Sequence, residues 1–281
     1  MEIIDKFHND ETIEKFPITR FFPDAEPEKI EQRIATEHHM SVLINTIPTF
    51  EIVCSPDHLP QLVLGRLLTE GVIQGEDEVS KIFICDRGNR AEVLLKDEQR
   101  ANFSHEGVEK VSTCCTGNKT LNDYFYSENE TFEVVPIKWE KEWIFQAANF
   151  FKNDSPAHKK SFGTHSCYLF SVEGDKGGKL VPDLPVPPIM CEDLGRHNAL
   201  DKAIGCALER GTDLKKSLLF TSGRLPIDMV EKVIRAKIPI LVSKAVPTIS
   251  ALELAKSAKL TLICSAYPDA FDVYLDFTDE R

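Results

Sequence analysis

The spacing of apolar positions divides this chain into strand-like and helix-like stretches. Val42–Ile47 and Phe50–Cys54 have the short apolar runs of paired strands. From Asp57 to Glu70 the period becomes helical, with Leu62, Val63, Leu67 and Leu68 on one face and Gly71 as the stop. Lys81–Cys85 and Ala91–Leu95 read as short strands around the turn Asp86-Arg-Gly-Asn89. Phe103–Tyr126 is not readable by period. It carries Ser112-Thr-Cys-Cys-Thr-Gly117 between polar flanks, which suits an exposed loop. Trp139–Phe151 reads as a helix with a large aromatic face.

The second half is more regular. Ser166–Val172 and Lys179–Val181 are predicted to form a hairpin across a glycine-rich turn, and a proline-rich connection, Pro182–Pro188, follows. It leads into Glu192-Asp-Leu-Gly-Arg-His-Asn-Ala-Leu-Asp-Lys-Ala-Ile-Gly205. Leu200, Ala203, Ile204, Ala207 and Leu208 repeat there at helical spacing. Asn198 is placed to cap the helix, with Asp201 three residues on in the manner of a capping box. On this reading Gly195, Arg196 and His197 stand just outside the helix, where free N–H groups and the helix dipole favour an anion. Two interpretations stand. One is a site for a phosphate-bearing ligand; the other is a solvated turn whose Arg196 pairs with Glu192 or Asp193.

Next come a strand (Ser217–Thr221), a helix (Pro226–Ala236), a strand (Ile238–Val242), a helix from about Pro247 through Lys256 and a strand (Leu260–Cys264). This alternation implies parallel pairing with right-handed crossovers. The loops leaving the strands' C-terminal ends then share one edge, where ligands of such sheets bind. They are Ser222-Gly223-Arg224, Ser243-Lys244-Ala245 and Ser265-Ala266-Tyr267-Pro268-Asp269-Ala270. Arg224 and Lys244 bring positive charge to that edge, and Gly223 permits close backbone approach.

The first forty residues are polar and rich in proline and charge, so they are expected to be irregular or to wrap the surface. The expected organisation is a 1–40 extension, an α+β domain over 41–137 holding the cysteine loop, and an α/β domain over 138–281. Of 281 residues, 45 are acidic and 33 basic, a net charge of −12 that argues against general nucleic-acid or anionic-membrane binding. No apolar run reaches membrane-span length and the N-terminus lacks a signal-peptide pattern, so a cytoplasmic protein is expected. The eight cysteines show no Cys-x-x-Cys pair and no zinc spacing. Most read as reduced core fillers, and no metal site is expected.

The motifs together resemble the FdhD family of sulfurtransferases, needed for active formate dehydrogenase. They are Leu67-Leu-Thr-Glu-Gly-Val-Ile73, Phe162-Gly-Thr-His165, Glu192–Gly205, Thr221-Ser-Gly-Arg224, Ile238-Pro-Ile-Leu-Val-Ser243, Pro247-Thr248 and Asp272-Val-Tyr274. The resemblance runs from about Leu64 to Tyr274. It implies an α/β protein whose C-terminal domain is similar to the three-layer cytidine-deaminase fold without its zinc. It further implies that a cysteine desulfurase loads sulfur as a persulfide on a loop cysteine. The sulfur then passes to the molybdenum (or tungsten) of a bis-molybdopterin guanine dinucleotide cofactor before that cofactor enters formate dehydrogenase. A homodimer is expected on the same ground.

By position, the persulfide falls to Cys114, since Ser112-Thr113 precedes it as Ser-x precedes the family thiol. Many members have Cys-Gly-x-Cys, but here Cys115 is adjacent, so the second thiol has no equivalent at the usual spacing. Carried over as cofactor-binding are His165, Gly195, Arg196, His197, Ser222, Gly223, Arg224, Lys244 and Ser265–Ala270. Tyr267 stands where the family usually has Arg or Lys; it either stacks on guanine or is a core aromatic. His165 either contacts ligand or is a structural hydrogen-bonder. The alternatives are a cofactor chaperone without sulfur chemistry, a zinc deaminase and a Cys114–Cys115 redox switch.

Overall fold

The computed structural model describes residues 1–8, 11–97, 109–111, 133–172 and 188–278. The polar N-terminal stretch, expected to be partly disordered or to wrap the surface, is largely strand among its described residues. β1 (Glu2–Asp5) pairs in parallel with β6 (Val79–Ile84), and β2 (Ile13–Arg20) with β3 (Glu28–Ala35) makes an antiparallel ribbon. Eight residue pairs and the Lys15–Glu31 ion pair hold the ribbon, so it forms without a buried face. Cross-strand pairing can outweigh a polar composition.

β4 (His38–Ile44) and β5 (Ile47–Cys54) form the hairpin expected from the pattern, turning at Asn45 and Thr46, both in the left-handed region. With β7 (Arg90–Leu95) and β8 (Glu109–Val111) they complete a mixed sheet in the order β1-β6-β7-β4-β5-β8. Helix α1 (Leu59–Thr69) lies against it. Pro60 suits its first turn, and Gly71, at φ 75°, closes its end with a Val72 N–H to Leu67 C=O bond of 2.8 Å. All its residues except Gln61 are buried, because protein lies on every side of it.

The second sheet is β10-β9-β11-β12-β13-β14. β9 (His165–Ser171) lies antiparallel to both β10 (Ile189–Asp193) and β11 (Ser217–Thr221). Both edges of β9 are therefore occupied, and its hairpin partner is β10, which holds Glu192 and Asp193, not 179–181 as expected. Those three residues lie outside the described ones. β11, β12 (Ile240–Ser243) and β13 (Thr261–Cys264) run parallel as anticipated, and β14 (Asp272–Leu275) adds an antiparallel edge.

Side-chain alternation splits the layers around this sheet. Tyr168, Phe170, Phe220, Val242 and Ile263 face α2 (Lys141–Asp154), whose Trp143, Ile144, Ala147 and Ala148 close that core. A short helix, α3 (Pro156–Ser161), follows. Leu169, Leu219, Leu241 and Leu262 point the other way. They join a cluster that also includes apolar side chains of α4 (Arg196–Glu209), α5 (Ile227–Arg235), α6 (Ile249–Ser257), α1 and the first sheet. One core therefore runs from sheet to sheet, across residue 137.

The α1–α4 crossing makes this possible. A Cβ on Gly65 would stand 1.8 Å from the Asp201 carbonyl oxygen, and one on Gly205 would stand 1.9 Å from that of Gln61. The two backbones touch, and only glycine fits at both points.

Candidate functional site

Helix α4 does not start as the capping reading expected. Its first residue is Arg196, its N-cap is Gly195, and Asn198 lies inside the first turn. The helix entrance is held from β10. Asp193 Oδ1 accepts the Gly195 N–H and the Asn198 side-chain N–H, both at 2.9 Å. Its Oδ2 accepts the Ser55 N–H at 2.9 Å and faces Lys202 Nζ at 2.7 Å. A protein carboxylate, held by the Lys202 ammonium and three N–H donors, thus occupies the position first assigned to a ligand anion. Arg196 and His197 are helical residues rather than loop residues.

Lys202, fully buried, also reaches Asp57 at 2.7 Å and the Ser55 carbonyl at 3.1 Å. Burial opposes its charge, but Asp193 and Asp57 more than offset that and raise its affinity for the proton. Burial likewise opposes the charge on Asp57, yet Lys202 and His58 hold its carboxyl at about 2.

Nor is Asp201 part of a capping box. It is fully buried, accepting from Thr69 Oγ1 at 2.7 Å and from Lys232 Nζ at 2.9 Å. Lys232 also meets Glu70 at 3.0 Å, while Arg66 lies 3.5 Å from Glu70 with its guanidinium over the Phe50 ring. Burial works against the Glu70 charge, but Lys232 and Arg66 keep its carboxyl at about 2. Glu192, the remaining acid of the motif, accepts the Ala157 and His158 N–H groups at 2.7 and 2.8 Å and so caps α3. Arg196 forms no ion pair with Glu192 or Asp193, so the solvated-turn pairing is not made.

A different arrangement occupies the strand-end edge. The three loops are knitted together: the Lys244 N–H donates to Thr221 C=O at 3.1 Å, and Ser243 Oγ to Gly223 C=O at 2.8 Å. The Ala266 N–H donates to Ser243 C=O at 3.0 Å. Gly223 earns its place, since a Cβ there would lie 2.9 Å from the Arg196 side chain. Arg196 is only 9% exposed, and its Nε has no hydrogen-bond partner. Such a donor is costly unless something fills it.

Around it stand His165, in contact with Ser222 Oγ at 3.4 Å, and His197, whose Nε2 lies 2.8 Å from Asp228 Oδ2. Burial, then Arg196 and the neighbouring histidines, lower the affinity of His165 for a proton and favour the neutral ring. Burial pushes the Asp228 carboxyl up, but His197 outweighs it and keeps the group below its ordinary value. This corner thus sets the buried Arg196 guanidinium, with an unpartnered Nε–H, beside two imidazoles and the Asp228 carboxylate, and that Nε–H is a donor an anion can meet.

Lys244 continues it. Its ammonium lies 5.2 Å from the Phe151 ring centroid and 5.8 Å from that of Tyr267. Tyr267 is 44% exposed, so it is not a core aromatic, and Arg224 is exposed as well. Pro268, Asp269 and Ala270 follow in a loop closed by a Tyr267 N–H to Ala270 C=O bond of 2.8 Å.

The structure therefore brings His165, Arg196, His197, Ser222 and Gly223 into one corner, with Lys244 and Ser265–Ala270 along the same edge. Gly195 is buried behind them. Cys114 and Cys115 lie outside the described residues. Sequence reasoning missed Asp228 and Phe151. The position of Asp228 just after Pro226, in the first turn of α5, was the available signal; Phe151 gave none beyond its helical face.

The sequence profile of the FdhD/NarQ family matches residues 35–279. A protein of Listeria innocua named sulfur carrier protein FdhD is 28% identical over 253 residues, 89% of this chain and 92% of that one. The protein of the same name from Bacillus subtilis is 28% identical over 255 residues, 90% and 92% of the two chains. A crystal structure from Desulfotalea psychrophila, provisionally described as a formate dehydrogenase accessory protein, matches with a TM-score of 0.68 at 23% identity. That match covers 94% of this chain and 96% of the other.

Proposed function

The chain belongs to the FdhD/NarQ family, and from that premise we propose that it is a cytoplasmic sulfur carrier for formate dehydrogenase. In this reading Cys114 is loaded by a cysteine desulfurase. Its thiolate attacks the terminal sulfur of the desulfurase persulfide; a new S–S bond forms on Cys114, the donor's S–S bond breaks, and the donor leaves as a thiolate. The terminal sulfur then passes to the metal of a bis-molybdopterin guanine dinucleotide, which is the substrate. The S–S electron pair returns to Cys114 as the two-electron oxidation falls on the accepting metal.

The observation that carries the cofactor half is Arg196, nine-tenths buried, with Nε unpartnered at the strand-end edge. A phosphate of the dinucleotide would supply the missing acceptor, with Lys244 and Arg224 flanking it. Tyr267, exposed beside Lys244, would stack on a guanine. His165 stays neutral there and offers one donor nitrogen. The sulfur half rests on the family and on the position of Cys114.

Incubation of the full chain with a cysteine desulfurase and cysteine is expected to add one sulfur atom to the Cys114 peptide by mass spectrometry. Formate dehydrogenase maturation is expected to be lost in Cys114→Ala. An unmodified Cys114 together with full maturation by Cys114→Ala would refute the sulfur step. The adjacency of Cys115, in place of a Cys-x-x-Cys, favours a second reading, a cofactor chaperone without sulfur chemistry. It predicts that Cys114→Ala matures the enzyme while Arg196→Ala does not.

A further inference from the structure

Three groups from separate stretches of chain meet where α1 begins. His58 precedes α1, Cys191 lies in β10 and Cys206 in α4, and one ligand atom from each falls within 4.8 Å of the others. The two sulfurs are 3.7 Å apart. Two thiolates bound to one tetrahedral zinc, each at about 2.3 Å, stand about 3.8 Å apart, so the pair already has the spacing of a shared ion. A coordinated imidazole nitrogen would lie about 3.6 Å from each sulfur, a shift on the order of an ångström for His58. His58 is exposed, so its ring has room to make it, whereas both cysteines are buried.

The surroundings match a metal site beyond its ligands. His58 Nδ1 lies 2.9 Å from Asp57 Oδ2, and this bond leaves Nε2 as the nitrogen with a free lone pair. A carboxylate behind a ligating histidine fixes the ring's orientation and tautomer. Asp57 is in turn held by Lys202 at 2.7 Å. Two thiolates and a neutral imidazole balance a divalent charge, so the buried cysteines would carry no net charge when loaded. The exposed face of His58 supplies both an entry path and a fourth position for water. We propose that His58, Cys191 and Cys206 form a binding site for one thiophilic divalent cation, with zinc as its representative. The site uses none of the residues assigned to sulfur transfer or cofactor binding.

The test uses the full chain carrying Cys114→Ser and Cys115→Ser, reduced, freed of metal and titrated with Co2+ without oxygen. One Co2+ per chain with sulfur-to-cobalt charge-transfer absorption is expected, displaced by Zn2+. Cys206→Ala should remove the absorption. His58→Ala changes an exposed side chain, so it should stay folded, lose only the modest share of stability its bond to Asp57 supplies, and weaken Co2+ about tenfold or more; Asp57→Asn should weaken it by about 10- to 100-fold. Absence of the absorption in the parent chain, or its survival in Cys206→Ala, overturns the site. So does an unchanged affinity in His58→Ala, which decides the matter if Cys206→Ala does not fold. Ready formation of a Cys191–Cys206 disulfide in a chain that takes up no Co2+ would make the pair redox-active instead, and would also overturn it.

Discussion

Helix α4 buries charge in two opposite ways. In its middle, Asp201 and Lys202 are fully enclosed, and each has partners at 2.7–3.0 Å drawn from other elements. At its entrance, Arg196 is almost as deeply set, yet its Nε has no partner, and the rings of His165 and His197 bring no compensating anion except Asp228. The paired carboxylates and ammoniums of the middle fix how α1, α4 and α5 pack, although Arg66 Nε and Nη1 and Glu70 Oε2 there also lack a hydrogen-bond partner. What sets Arg196 apart is its place at the strand-end edge, where a bound anion would satisfy the unpartnered Nε–H. The same fourteen-residue helix thus carries a structural clamp and, one turn earlier, the arginine to which the proposed function assigns an anion.

If that contrast is right, damage to the middle should appear as instability. Asp201→Asn strands Lys232 and Arg66 in the core, and a loss of about 3–5 kcal/mol in chemical denaturation is expected. Gly205→Ala drives a methyl group into the Gln61 carbonyl and should cost about 1–3 kcal/mol or more by the same measurement, because backbone cannot yield as a side chain does.

Acid should act on the clamp as well. The Glu70 carboxyl sits near 2 when folded against an ordinary 4.5, so its stabilisation is complete above 4.5 and is lost as pH falls toward 2. Asp57 contributes over a similar window. Glu70→Gln should therefore flatten part of the stability–pH curve between those limits, and an unchanged slope would contradict the depressed value.

Arg196→Ala should do the reverse of Asp201→Asn. Its melting curve should stay within about 1 kcal/mol of the parent, since it removes an unmatched cation, while binding of a guanine dinucleotide or pyrophosphate weakens. A variant that unfolds instead would place Arg196 in the clamp. The smallest effect expected is on His165. Its ring should titrate below 6.5 by NMR, and Arg196→Ala should move the midpoint part of the way back up, since burial, the larger cause, remains.

Much of the second half was legible in the chain. The β11-α5-β12-α6-β13 alternation and its shared loop edge followed from period alone, because a buried parallel strand and an amphipathic crossover helix each leave a local signature. The partner of β9 was not legible, since strand pairing is a choice among distant segments. The N-terminal ribbon was missed because cross-strand pairing does not need an apolar composition. Asn198 and Asp201 have the spacing of a capped helix start, but the helix begins at Arg196, and the Asn198 side chain donates to Asp193 of β10 instead of capping.

The Glu192–Gly205 motif shows where the division lies. Its sequence determined a helix, a stripe that packs inward, a concentration of charge, and the family it signals. Only the tertiary structure decided which charges are spent. Asp193, Asp201 and Lys202 found partners on α1, α5 and the Ser55 turn, and Arg196 did not. The same holds for Cys191, Cys206 and His58, which have no metal-binding spacing along the chain and meet only where β10, α4 and the start of α1 come together. Local pattern fixes periodicity and hence which face is buried. The satisfaction of a buried charge depends on geometry between segments more than a hundred residues apart, and no local pattern encodes that.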